Sequence, residues 1–186
     1  MVPKGVYKFL LKALGWHSEG ELITEKNAIA LFAPHTSIWD FGIGFFHYRS
    51  LGGHLKVMIK EESFRFPQKY ILRSMGGFPI KRESPQQTIL SVVHEMEAAT
   101  EPFTLVICPE GTRKAGRKWK TGYHTIAKAT GAPVYIVYAD YAKKRVGHFP
   151  LPFELADDAR ADTDRIQRLF GDMHLTAKFP EGYTTS

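Results

Sequence analysis

Apolar residues in this chain fall into short continuous runs that alternate with stripes of helical spacing. Residues 28–33, Ala-Ile-Ala-Leu-Phe-Ala, are apolar throughout. Such a run suits a strand covered on both faces. Residues 55–59, 103–108 and 132–138 repeat the signature, and 77–81 form a shorter extended piece. Between them the spacing predicts helices over 39–50, 64–75, 121–130 and 162–172. The clearest helix start is Ser84-Pro85-Gln86-Gln87. Serine suits the N-cap, proline the first turn and glutamine the third position. Ile89, Val92, Val93 and Met96 then make one stripe, and Gly131 closes the helix at 121–130. Residues 3–15 read as an amphipathic helix. Val6, Phe9, Leu10, Ala13 and Leu14 share one face, Lys4, Lys8 and Lys12 line up at i, i+4, and Gly15 and Trp16 follow. Such a helix either lies in a membrane interface or docks on the protein's own core.

Strands alternating with helices predict an α/β fold. The expected form is a mixed, largely parallel central sheet flanked by helices, with an N-terminal amphipathic helix. A chain of 186 residues suits a single domain, and 44% hydrophobic residues can fill its core. No run approaches the ~18 apolar residues of a transmembrane helix. The first residues lack the apolar run and small-residue cleavage site of a secretory signal. The net charge of +6 suits an anionic partner: nucleic acid, phosphorylated substrate, acidic carrier protein or lipid headgroup. No phosphate-binding GxxxxGK[ST], zinc spacing or base-stacking motif accompanies that charge, which argues against nucleic acid. The single cysteine, Cys108, excludes an intrachain disulfide.

Sites in open α/β sheets gather beyond the carboxyl ends of strands. His35 follows the run at 28–33, and Glu110 follows the run at 103–108. In His35-Thr36-Ser37-Ile38-Trp39-Asp40, a loop curling into a helix can return Asp40 to the imidazole. A carboxylate on Nδ1–H fixes the tautomer and stabilises the imidazolium. Nε2 is then free to take a proton from a hydroxyl that attacks a carbonyl. Asp40 also suits a helix N-cap, and Thr36 and Ser37 suit caps of a helix beginning near Ile38. No G-x-S-x-G elbow surrounds any serine, which disfavours Ser37 as a nucleophile. In Pro109-Glu110-Gly111-Thr112-Arg113, Gly111 permits a tight turn and Arg113 can grip a phosphate or carboxylate with two prongs. Thr112 adds a hydroxyl, and Glu110 either meets a substrate hydroxyl or orients the loop. Lys114, Arg117, Lys118 and Lys120 add positive charge just beyond. Cys108, after an apolar strand, reads as a buried and inert thiol.

The ordered pair of motifs resembles the glycerophosphate and lysophosphatidate acyltransferase family, marked by an H-x4-D block and a later P-E-G-T-R block. Gly76-Gly77-Phe78-Pro79-Ile80-Lys81-Arg82 resembles the family's second block, with Arg82, or less well Lys81, as its basic residue. Lys60 resembles the lysine of the preceding segment, and Ala132-Pro133-Val134-Tyr135-Ile136-Val137 the fourth block. The resemblance covers roughly residues 28–138. It implies a catalytic core there, a membrane-associating helix over 1–16 and a C-terminal extension over 139–186, whose last residues are expected to be loose. It implies transfer of a fatty acyl group from coenzyme A or acyl carrier protein to a hydroxyl of a lysophospholipid-type acceptor, without an acyl-enzyme. His35 is then the base and Asp40 its partner. Arg82 and Arg113 bind phosphate, with Lys60, Glu110, Gly111 and Thr112 around the substrate. No metal or redox cofactor is implied, and the expected place is peripheral on the inner face of the cytoplasmic membrane. Pro34 stands where many members have asparagine, and Cys108 where phenylalanine is common. Two other readings use the same features: a non-catalytic protein that binds anionic lipid, and a thioesterase or esterase whose His/Asp pair activates water.

Overall fold

The computed structural model describes residues 2–80, 84–116 and 118–185, and of Lys60 the backbone alone. Among these, the apolar runs become β2 (Asn27–Ala33), β3 (Leu55–Lys60), β4 (Gly77–Ile80), β5 (Phe103–Ile107) and β6 (Val134–Asp140). With β1 (His17–Glu19) and β7 (Arg145–His148) they form one seven-stranded sheet in the order β1-β7-β6-β2-β5-β3-β4. Five strands run parallel; β7 lies antiparallel to β6, and β1 parallel to β7. The sheet is therefore mixed and largely parallel. The sequence did not reveal β1 and β7. Each is three or four residues long, and His-Ser-Glu and Arg-Val-Gly-His carry little alternation.

Side chains alternate across each strand, so a run apolar throughout feeds two cores. Ile29, Leu31 and Ala33 of β2 join one core with α4 (Pro85–Glu97), α5 (Gly122–Thr130) and α6 (Ala159–Asp172). Ala28, Ala30 and Phe32 face the other way, toward α1 (Lys4–Ala13) and α2 (Ile38–Leu51). Ile29, Leu31 and Phe32 each contribute about 1.5–3 kcal/mol relative to exposure, and the alanines less. Ser84 caps α4 as expected, accepting from the Gln87 N–H, and Gly131 ends α5 at φ 67°.

Three expectations change. The helix foreseen over 64–75 is only α3 (Gln68–Ser74), preceded by a 3₁₀ turn at Glu61–Ser63. Proline biases the residue before it away from helix, so the helix starts after Pro67. The N-terminal helix does dock, but through Tyr7 and Leu11, with Tyr7 edge-on to Phe45 at 5.8 Å. Its opposite stripe stays outside: Phe9 is 68% exposed, and Val6, Ala13 and Leu14 also face out. Residues 173–185, expected to be loose, are packed against the rest of the protein. Leu175 and Ala177 are buried, the Tyr141 N–H donates to the Thr176 carbonyl at 2.8 Å, and Trp119 Nε1 donates to the Thr184 carbonyl at 3.3 Å. Their partners lie far back in the chain and leave no local pattern.

Candidate active site

β2 delivers His35 two residues beyond its carboxyl end, and β5 delivers Glu110 three residues beyond its own. The strands are adjacent and parallel, so both loops rise from the same edge of the sheet. Ser37 is the N-cap of α2: its hydroxyl accepts from the Trp39 N–H at 3.2 Å. Asp40 is therefore not the N-cap but the acidic member of a capping box at the third helical position. Its Oδ2 accepts from the N–H groups of Thr36 at 2.6 Å and Ser37 at 2.7 Å. Its Oδ1 accepts from the Tyr141 hydroxyl at 2.6 Å. Burial first, and then the Asp40 carboxylate, hold the Tyr141 phenol well above its ordinary value, so it remains a donor.

His35 Nδ1 lies 3.6 Å from Asp40 Oδ2, near the carboxylate but beyond hydrogen-bonding distance. The expected bond is thus approached and not closed. Oδ2 is already held by two backbone donors, and Nδ1 has no partner among the described residues. A carboxylate offers about four acceptor positions, and the one left is on Oδ1, so at this distance Asp40 steadies a protonated ring chiefly through its charge. Burial works against the imidazolium, but the Cys108 side chain and Asp40 outweigh it and push His35 up to about 10. Cys108 is accordingly not a sequestered thiol. β5 ends at Ile107, leaving Cys108 half-buried in the cavity wall beside the ring.

For Glu110 the geometry favours the second of its two expected roles, orienting the loop. It is buried and does not line the cavity, and both its oxygens accept from the backbone N–H of His35, at 2.8 and 3.2 Å. It pins the two motifs together. Burial pushes its carboxyl up to about 7, against the opposing pull of His35. Gly111 turns with φ 70°, and a Cβ there would meet Lys120 Cγ at 3.0 Å. Thr112 Oγ1 accepts from the Lys114 N–H at 3.3 Å, leaving its hydroxyl proton free. Arg113 and Lys120 line the cavity without an ion pair among the described residues. Lys60 closes β3, but its side chain, like Lys81 and Arg82 entirely, lies outside the described residues.

The C-terminal segment completes the site from above, a part that sequence reading missed. The Phe179 N–H donates to Thr36 Oγ1 at 3.2 Å. Gly182 sits so close that a Cβ would stand 2.8 Å from the Arg113 carbonyl oxygen and 3.2 Å from Thr36. One short segment therefore braces both motif loops.

His35 opens into a cavity of about 1240 Å³ whose lining comes from both faces of the sheet. One arm runs between α2 and the sheet, past Phe32, Phe41, Gly44, Val106 and Val137. The other runs under α3, α4 and α5, past Met58, Leu72, Ile89 and Ile126, with Thr112, Arg113 and Lys120 also in the wall. A histidine–aspartate pair at the junction of an apolar arm and a cationic wall can bring an apolar acyl donor and an anionic acceptor together.

A family model described as Acyltransferase matches residues 16–140. The chain belongs to the acyltransferase family. No curated protein sequence matches it. Among solved structures, it is similar to the 1-acyl-sn-glycerophosphate (LPA) acyltransferase PlsC from Thermotoga maritima. The TM-score is 0.63 at 15% identity, covering 94% of this chain and 79% of that one. At that identity the likeness is one of fold. This acyltransferase thus has the PlsC-like α/β architecture, and its two motifs sit at one edge of that sheet.

Proposed function

We propose that this acyltransferase moves a fatty acyl group from a coenzyme A or acyl-carrier-protein thioester to a hydroxyl of a lysophosphatidate-like lipid. The observation that carries the reading is the junction at His35, where an apolar arm and the Arg113 wall meet beside Asp40. The acyl chain lies in the arm along α2. The acceptor's phosphate lies against Arg113 and Lys120, and by family resemblance Arg82 joins them. His35 takes the proton of the attacking hydroxyl, Asp40 steadies the imidazolium, and the thiol leaves as the ester forms. The same wall would serve a phosphate on another lysolipid. Thiol release from acyl thioesters, measured with a panel of lysolipids, tests this. Release that depends on a phosphate-bearing acceptor is expected; equal release without any acceptor would make the protein a thioesterase.

The imidazole must be neutral to act as base. A raised His35 value therefore places the rising limb of kcat/KM on the alkaline side of the ordinary 6.5, toward about 10. Cys108→Ala removes one of the groups that raise it and should move the limb to lower pH. A wild-type limb at or below 6.5, measured with a neutral acceptor, would contradict this electrostatic account.

Gly44 offers a test of the acyl arm. A Cβ there meets Phe32 Cε2 at an ordinary 3.4 Å, and a longer side chain projects into the arm. Gly44→Leu also favours the helix by roughly 0.8 kcal/mol, so the fold is expected to hold. Long-chain donors should lose about tenfold or more in kcat/KM relative to short ones, as expected from the one to three kcal/mol lost with a displaced methylene. Unchanged chain preference would move the donor out of this arm.

The surroundings suit work at a lipid surface. Among the described residues no helix is long and apolar enough to cross a membrane. Ile38 and Ile71 are 63% and 60% exposed while also lining the cavity, and Trp39 is 54% exposed beside them in sequence. Phe66 and Tyr70 stand out from the segment around α3, interleaved with Arg65, Lys69 and Arg73. Apolar and aromatic side chains among basic ones fit a surface of anionic lipid. With the outer stripe of α1, they support a peripheral place on the cytoplasmic face, where thioester donors are available.

A further inference from the structure

Gly182 has no conformational reason to be glycine. It ends a short 3₁₀ turn, Pro180–Gly182, and its φ is not positive. A glycine in such a place marks a close approach of backbone to a neighbour. A Cβ here would stand 2.8 Å from the Arg113 carbonyl oxygen, 3.2 Å from Thr36 Cγ2 and 3.4 Å from Thr36 Cβ. One residue outside both motifs therefore lies against the loop that carries the base and the loop that carries the arginine.

The segment around Gly182 is anchored on the side of the base. The Phe179 N–H donates to Thr36 Oγ1, and the Thr36 N–H in turn donates to Asp40 Oδ2. The Thr176 carbonyl accepts from the Tyr141 N–H, and the Tyr141 hydroxyl donates to Asp40 Oδ1. Both Thr36 and Tyr141, which hold the carboxylate, are thus tied to the same stretch of chain. Beyond Gly182, Tyr183 packs on the main core, and the Thr184 carbonyl accepts from Trp119 Nε1. Burial first, and then the Glu110 carboxylate, raise the Tyr183 phenol, which places that ring beside the anchor of the second motif.

The Arg113 side of the contact is looser. Residues 111–116 are all exposed and form neither helix nor strand. Where Gly182 and this loop press together, it is the loop that yields.

We propose that Gly182 is a positioning residue for phosphate recognition: its missing side chain lets the Arg113 loop settle against the loop of His35, so that the guanidinium meets the acceptor's phosphate while the acceptor's hydroxyl stands at the base. Gly182 touches no substrate and acts through Arg113. The inference rests on the reading that Arg113 holds that phosphate. In Gly182→Ala the Arg113 carbonyl must retreat from 2.8 Å toward an ordinary contact of 3.4 Å or more, and the guanidinium is carried with it. A misplacement of about 1 Å can cost about a hundredfold, so a loss of roughly tenfold is expected from this smaller shift.

The test compares wild type, Gly182→Ala, Arg113→Ala and the double variant on lysophosphatidate and on monoacylglycerol of the same chain, its neutral counterpart. Gly182→Ala should raise KM for lysophosphatidate, with a loss in kcat/KM roughly tenfold larger than its loss on monoacylglycerol. Thermal unfolding should stay close to wild type. Added to Arg113→Ala, Gly182→Ala should cost little more, since residues that act through one contact are not additive. Equal losses on the two acceptors, additive losses in the double variant, or no loss where Arg113→Ala has one, would overturn the inference, because a merely structural glycine gives those results. An Arg113→Ala variant with undiminished preference for lysophosphatidate would instead strike the phosphate reading of the proposed function. Amide hydrogen exchange then decides whether Gly182 sets the loop: faster exchange over residues 110–116 in Gly182→Ala supports it, and unchanged exchange overturns it.

Discussion

His35→Ala is expected to lower acyl transfer by about two to four orders of magnitude, the usual worth of a positioned general base. The fold should hold. The His35 side chain is 24% exposed, and its structural bond is made by the backbone N–H to Glu110, which alanine keeps. Thermal unfolding of the variant should stay close to wild type, and binding of an acyl thioester should survive. Retained activity in a folded variant would remove the base from the mechanism.

Asp40 separates charge from structure. In Asp40→Asn the amide oxygen can still accept from Thr36 and Ser37, and the amide nitrogen can donate to the Tyr141 oxygen. The fold should survive, but no anion remains to steady the imidazolium. Activity should fall by roughly a hundred- to ten-thousand-fold, the upper figure being the loss seen where an aspartate behind a catalytic histidine becomes asparagine. Asp40→Ala strips partners from three donors around a carboxylate that is only 1% exposed. Leaving buried donors unpaired costs about 1–3 kcal/mol each, so the alanine variant should lose about 3 kcal/mol or more in denaturant unfolding. Asparagine and alanine variants equal in both activity and stability would mean that Asp40 acts only as a cap.

The sequence made the sheet legible where strands are buried on both faces. The runs at 28–33 and 103–108 are apolar at every position but Thr104, and they place His35 and Glu110 at one edge. Ser37 and Asp40 were legible as cap and partner because both act within one helical turn. Other features rest on contacts between distant residues. Tyr141 reaches Asp40 across 101 positions, and the Phe179 N–H reaches Thr36 across 143, with no local pattern to announce either. Glu110 was foreseen as a substrate contact or a loop anchor. The structure makes it an anchor, and its partner is a backbone N–H that every residue but proline carries. In α1 the apolar positions span more of the helix than docking uses, so periodicity alone did not identify the docked face.

Direct transfer by the His35–Asp40 base is the centre of this account, and a single-turnover experiment addresses it most directly. Excess acyltransferase is mixed rapidly with an acyl thioester, first alone and then with lysophosphatidate, and free thiol is followed in time. Direct attack predicts no thiol until the acceptor arrives, then one thiol for each ester formed, with both lost in His35→Ala. A stoichiometric burst of thiol without acceptor, leaving the acyl group on Cys108 or Ser37, would contradict it.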